Sequence, residues 1–242
     1  MLVSAAVCPS PPLLVPALAA GAAPELDSVR AACVRALGAL AAARPDRLVV
    51  VGPAAEAGLG IHPQGAVGSF RDFGVDVDTV LGGVRDGAGP GPGTARELPA
   101  SLAVAAWLLE HARWRAAPVS GLGVAESLAP EDCARAGREL ATEADRVALL
   151  VMGDGSACRS VKAPGYLDER APAFDAAAAQ ALAAVDVAGL LALETEPARA
   201  LKAAGRAPWQ VLAGAAQGGD LAGELLYEGA PYGVGYFVAL WS

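Results

Sequence analysis

The chain reads as an α/β protein, with a central, mostly parallel or mixed sheet flanked by helices, on three observations. Short apolar runs closed by Pro or Gly recur along it, as buried strands do. Longer stretches with apolar residues on one helical face separate those runs. No linker and no internal repeat divides the 242 residues, so residues 1–242 are expected to form one domain.

The first run, Leu2–Cys8, and the second, Leu48–Val51, bracket a helix opened by Pro24, with Leu26, Val29, Cys33, Leu37 and Leu40 on one face. A β-α-β order predicts a parallel pair joined by a crossover. Val75–Val80 alternates apolar and acidic residues, as a strand with one wet face would. Gly82 to Gly93 is rich in Gly and Pro and predicts a mobile surface loop. Helical spacing returns from Pro99 to Trp114 and, more weakly, from Pro130 to Ala144, ahead of a strand at Val147–Met152. Four helices are predicted next, over Phe174–Val185, Val187–Leu193, Pro197–Ala204 and Pro208–Ala216. Asp186 is the expected N-cap of the second and Gly205 the expected C-terminal cap of the third. Two strands, Glu224–Tyr227 and Val234–Leu240, close the chain around a turn with Pro231 and Gly233.

Composition excludes several classes of function. The formal charge is −8, and Lys occurs only at Lys162 and Lys202, so a nucleic-acid surface, which needs clustered cations, is not expected. No apolar run is long enough and clean enough to span a bilayer. The segment Leu2 to Ala20 lacks a basic start and carries four prolines, so it reads as folded structure and the expected address is the cytoplasm. Cys8, Cys33, Cys133 and Cys158 are too dispersed for a zinc cassette or a disulfide framework, and read as buried thiols.

Ligands of open α/β sheets collect outside the carboxyl ends of the strands. Three such ends carry distinctive residues: Cys8-Pro9-Ser10-Pro11-Pro12, Val51-Gly52-Pro53-Ala54-Ala55-Glu56 and Met152-Gly153-Asp154-Gly155-Ser156-Ala157-Cys158. With the ending Tyr227-Glu228-Gly229-Ala230-Pro231-Tyr232-Gly233, they resemble the LigB-type class III extradiol ring-cleavage dioxygenases and the related MEMO-like proteins. By order of elements the resemblance covers essentially the whole chain, although its motifs are short.

The resemblance implies non-heme Fe(II) held by histidines, and this sequence departs from it at each position concerned. The first ligand falls on Ser10, the second on Ala54 or Ala55, and the acid–base histidine on Ala157. The last ligand, near the C-terminus, falls within Glu228 to Gly233. Oxygen-activating iron(II) uses two imidazoles and a carboxylate, which serine and alanine cannot replace. The only histidines, His62 and His111, are expected at the surface or at a helix end. No metal ligand and no resident cofactor is therefore assigned.

Ser10, Pro11, Glu56, Asp154, Ser156, Cys158 and Glu228 remain as candidates to line a ligand-binding cleft. For Asp154 and Ser156 the competing expectation is hydrogen bonding to loop amides. A serine or cysteine nucleophile needs an adjacent base, and no histidine is placed to serve. Arg159 and Lys162 could meet an anionic ligand, or sit in solvent. Tyr232, Tyr236 and Trp241 are expected in the core or at a subunit contact, and Trp107 and Trp114 on opposite sides of one helix. The leading expectation is a LigB-like protein with a degenerate iron site that binds a small molecule or a protein partner. The alternatives are a divergent oxygenase or hydrolase using a carboxylate/thiol site, and an accessory or homo-oligomeric subunit.

Overall fold

The computed structural model describes residues 1–83 and 96–242, so most of the predicted Gly82–Gly93 loop lies outside the described residues. The elements run β1 (Leu2–Cys8), α1 (Pro16–Ala19), α2 (Asp27–Ala42), β2 (Arg47–Pro53), β3 (Gly60–His62), β4 (Val67–Ser69), β5 (Asp78–Val80), α3 (Ala100–His111) and β6 (Val119–Val124). They continue with α4 (Pro130–Leu140), β7 (Val147–Met152), α5 (Ala171–Ala184), α6 (Val187–Leu191), α7 (Thr195–Ala200), α8 (Arg206–Ala215), β8 (Gly223–Gly229) and β9 (Tyr236–Trp241).

Seven strands form one mixed sheet in the order β3-β6-β2-β7-β1-β9-β8. The four central strands, β6, β2, β7 and β1, are parallel, and β3 and β9 join antiparallel at either side. Because side chains alternate along a strand, each central strand feeds two cores. Ala6, Cys8, Leu48, Val50, Leu150 and Met152 pack beneath α2 and α3. Ala5, Val7, Val49, Val51, Leu149 and Val151 pack on the opposite face, beneath α4, α5 and α8. A parallel sheet covered on both sides needs such uninterrupted apolar runs, which is why Leu2–Cys8 and Val147–Met152 show no polar alternation.

Two glycines let α4 and α8 meet backbone to backbone. A Cβ on Gly137 would lie 2.0 Å from the Val211 carbonyl oxygen, and one on Gly214 would lie 2.2 Å from that of Ala134.

Several sequence expectations need correction. The strand predicted at Val75–Val80 is only Asp78–Val80, and it pairs with β4 in a separate two-stranded ribbon. Strand β6, between β2 and β3, has no counterpart among the predicted elements. Its glycines interrupt the apolar run because neighbours press on it: a Cβ on Gly123 would meet the Gly58 carbonyl oxygen at 2.1 Å. The helix predicted from Pro24 begins at Asp27, after a 3-10 stretch that holds Pro24. Asp186 does cap α6, accepting from the Gly189 N–H at 2.9 Å. Gly205 does not cap α7, since the left-handed residue there is Lys202 (φ 54°). Gly205 instead precedes α8, where a Cβ would sit 2.2 Å from the Trp209 ring. Trp114 lies beyond α3, so it shares no helix with Trp107, and its indole N–H donates to the Ala117 carbonyl.

Candidate functional site at the strand ends

The carboxyl ends of β1, β2, β6 and β7 share one edge of the sheet. Neighbouring strands there send their chains to opposite faces: β2 leads toward α3 and β6 toward α4, while β1 leads toward α2 and β7 toward α5. Such divergence opens a crevice. Between the ends of β2 and β6 it holds two adjoining cavities that share Ala54, Ala55 and Glu126. One, of about 480 Å³, is also lined by Glu56, Leu59, Ala198 and Arg199. The other, of about 540 Å³, is also lined by Ser10, Phe73, Arg96, Glu97 and Ser101.

Between the ends of β1 and β7 the Ser10 N–H donates to Asp154 Oδ1 at 2.8 Å. Ser10 keeps 7% of its surface exposed and borders the larger cavity. Asp154 retains some accessible surface, yet its carboxyl is enclosed by protein. Burial drives its pKa from 3.8 up to about 7, against the bonds from Ser10 that favour the charged form. No lysine, arginine or histidine forms an ion pair with it among the described residues.

The rest of the β7 loop is held from beneath. Asp175, fully buried in α5, accepts from the Ser156 N–H (2.7 Å), the Ser156 hydroxyl (2.8 Å) and Arg159 (2.9 Å). Gly155 and Gly235 hug this carboxylate, and a Cβ on either would come within 2.8 Å of it. Loop and β9 are then sewn together by Gly155 N–H to Gly235 O (2.7 Å) and Gly235 N–H to Ser156 O (2.8 Å). The Cys158 thiol is buried and donates to Leu201 O at 3.4 Å, and burial raises its pKa.

The structure thus divides the seven sequence candidates. Ser10 and Glu56 line the cavities, and Asp154 stands behind Ser10. Pro11 is buried beside them without reaching either cavity. Ser156 and Cys158 are internal braces. Glu228 is exposed on β8, the outermost strand, away from both cavities. Arg159 is tied to Asp175 and Lys162 faces solvent. Among the described residues no three His, Cys, Asp or Glu side chains gather closely enough to share an ion. His62 corrects its expectation: it is buried on β3 with Nε2 2.9 Å from the Gly58 carbonyl oxygen, because β3 pairs with β6 and turns the ring inward. His111 is at the end of α3, stacked on Trp107. Tyr236 and Trp241 are core residues, whereas Tyr232 is 39% exposed and donates to Glu25. All four cysteines are buried and free.

A second brace escaped the sequence reading. Arg206, at the start of α8, is buried and donates to the carbonyl oxygens of Glu126 and Leu128 and to Gln210 Oε1 (2.7 Å). Gln210 in turn donates to the carbonyls of Leu190 and Leu193 at the end of α6. This pair fixes the β6 loop that carries Glu126 into both cavities. The signal for both braces was a polar residue on an otherwise apolar helix face: Asp175 with Ala178 and Leu182, and Arg206 four residues before Gln210.

No family model and no curated protein matches the chain. Among the solved structures that match is that of the uncharacterized protein JW3007 from Escherichia coli K12, with a TM-score of 0.52, 14% sequence identity and 99% of each chain covered. That likeness concerns the fold. No helix among the described residues is long and apolar enough to cross a membrane.

Proposed function

We propose that the chain is a divergent LigB-like protein whose strand-end cleft binds a small molecule without cleaving an aromatic ring. One observation carries the reading. Ala54 and Ala55, where the resemblance expects an iron-binding histidine, form the shared wall of the two cavities. The residues do not fit non-heme iron: methyl groups offer no donor atom, Ser10 is a poor substitute for imidazole, and Ala157 is enclosed in the β7 loop. What stays at the strand ends is concave space with apolar walls and a few polar groups, the usual makeup of a small-molecule site. Four unpaired thiols fit the reducing cytoplasm.

The test has two arms. Protein prepared anaerobically with ferrous iron is expected to retain no stoichiometric metal and to leave catechols intact; bound iron with ring cleavage would refute the proposal. Ala55→Trp, which fills the shared wall, is expected to abolish ligand-induced thermal stabilisation while the apo-protein melts within a few degrees of wild type.

A second reading, a divergent enzyme, is favoured by Asp154, a carboxyl whose pKa of about 7 suits proton transfer near neutrality. It predicts a turnover that Asp154→Asn removes without weakening ligand binding.

A further inference from the structure

Exposed apolar side chains gather on one patch outside the cleft. Nine large hydrophobic residues are exposed among the described residues. Four of them, Val161 (57%), Tyr166 (65%), Leu167 (48%) and Tyr232 (39%), belong to the loop after β7 and the turn before β9. Loop and turn form one surface: the Arg159 N–H donates to the Gly233 carbonyl at 3.0 Å, and a Cβ on Gly233 would meet that of Ala163 at 2.6 Å. The backbone beneath is fixed. Gly165 and Asp168 donate their N–H groups to the Ala157 and Cys158 carbonyls (2.8 and 3.0 Å), and Lys202 Nζ donates to the Pro164 carbonyl at 3.2 Å. Tyr166 (φ 61°), Lys202 (φ 54°) and Tyr232 (φ 57°) take the left-handed backbone that favours glycine. Strain that keeps aromatic rings in water opposes both backbone preference and the hydrophobic effect, and such a patch marks an interaction surface.

Charge identifies what covers it. Asp168 and Arg170 neutralise each other, and Arg159 is tied to Asp175. Lys162 and Glu169 are exposed and have no ion-pair partner among the described residues. Lys202 meets a carbonyl and Glu25 meets the Tyr232 hydroxyl, so neither is neutralised. The patch thus carries two free cations and two free anions on a chain whose formal charge is −8. An acidic peptide or an anionic membrane would be matched by a surface of one positive sign. A two-fold contact sets a patch against itself, and is self-complementary when both signs are present. Copies of this acidic chain repel one another in general, and this face is one on which they can meet without net repulsion. We propose that the face formed by Val161, Tyr166, Leu167 and Tyr232 is the contact of a two-fold homodimer. Lys162 of each copy is set against Glu169 of the partner subunit at its rim.

Sedimentation equilibrium of the intact protein at micromolar concentrations is expected to return twice the chain mass. Val161→Glu and Leu167→Glu, both at exposed positions, are each expected to raise the dimer dissociation constant about tenfold or more. Circular dichroism should show both variants folded, so that a loss of dimer is not a loss of fold. Lys162→Glu and Glu169→Lys should each weaken the dimer about threefold, and the two together should restore it. A monomer at every concentration, or a dimer that Val161→Glu and Leu167→Glu leave intact, would overturn the proposal. Weakening by both charge changes with no recovery in the double variant would overturn the two-fold pairing. Capture of monomeric protein on phosphatidylglycerol vesicles, the result expected of a membrane surface, would overturn the choice of a second copy.

Discussion

Ser10 and Asp154 stand 144 positions apart in the chain, yet the Ser10 N–H donates to Asp154 Oδ1 at 2.8 Å, locking the loop after β1 to the loop after β7. The strands themselves are paired up to Cys8 and Met152, so the bond ties the two chains together two residues past the last pair. It also places a carboxyl that is largely enclosed by protein and, among the described residues, has no ion-pair partner, and that gives the pair its pH response.

Asp154 holds its proton to about pH 7 in the folded protein but releases it near 3.8 when unfolded. Below roughly pH 4 both states are protonated, so the residue is neutral to stability. Between about pH 4 and 7 the unfolded state binds fewer protons than the native state, and stability falls as pH rises. Above about pH 7 the penalty is complete, with a ceiling of about 4 kcal/mol. Asp154→Asn keeps an oxygen for the Ser10 N–H and has no charge to bury. Its melting temperature should match wild type near pH 4 and exceed it by several degrees at about pH 8, as followed by circular dichroism.

Asp175 is the opposite kind of buried carboxylate, with three donors satisfying it. Asp175→Ala would strand the Ser156 N–H and hydroxyl and free Arg159, which is partly exposed. A loss of about 3 kcal/mol is expected in urea unfolding, and Ser156→Ala should cost less, near 1 kcal/mol.

Gly205 is required by its neighbour. A methyl group there would fall 2.2 Å from Trp209, so Gly205→Ala should cost about 1–3 kcal/mol through overpacking. In the Trp209→Leu background the same substitution should cost far less. A double-mutant cycle measures the difference, and additive effects would contradict the steric explanation.

The four thiols should be unreactive in the native state. Cys8, Cys33, Cys133 and Cys158 are buried, and burial lifts the Cys133 pKa to about 11. A disulfide reagent at neutral pH is expected to modify none of them rapidly, and all four once guanidinium unfolds the chain. Fast labelling of one cysteine would locate a mobile segment.

Parts of this architecture were legible before folding. Leu2–Cys8 and Val147–Met152 announce themselves as strands because a parallel sheet buried on both faces demands unbroken apolar residues. Asp186 announces its helix start through local cap chemistry. β6 was not legible: Gly121 and Gly123 look like turn residues, and only the approach of Leu102 and the Gly58 carbonyl explains why no side chain is tolerated there. Gly205 misled for the same reason, since a glycine demanded by a distant tryptophan looks like one demanded by its own φ angle. His62 belonged to a three-residue strand too short to carry a period.

By itself, then, the sequence determined the α/β class, the two-sided burial of the central strands and the lack of imidazole at Ser10, Ala54 and Ala55. These follow from side-chain type and short-range periodicity. Tertiary structure alone decided which of the strand-end residues share a cleft. Ser10 and Glu56 border it because β1 and β2 end at the same edge of the sheet, where chains leaving neighbouring strands diverge. Ser156 is withdrawn from it by Asp175, and Glu228 is carried to the sheet's edge by strand order. Those outcomes depend on which strands become neighbours, a long-range choice made by burying two cores at once.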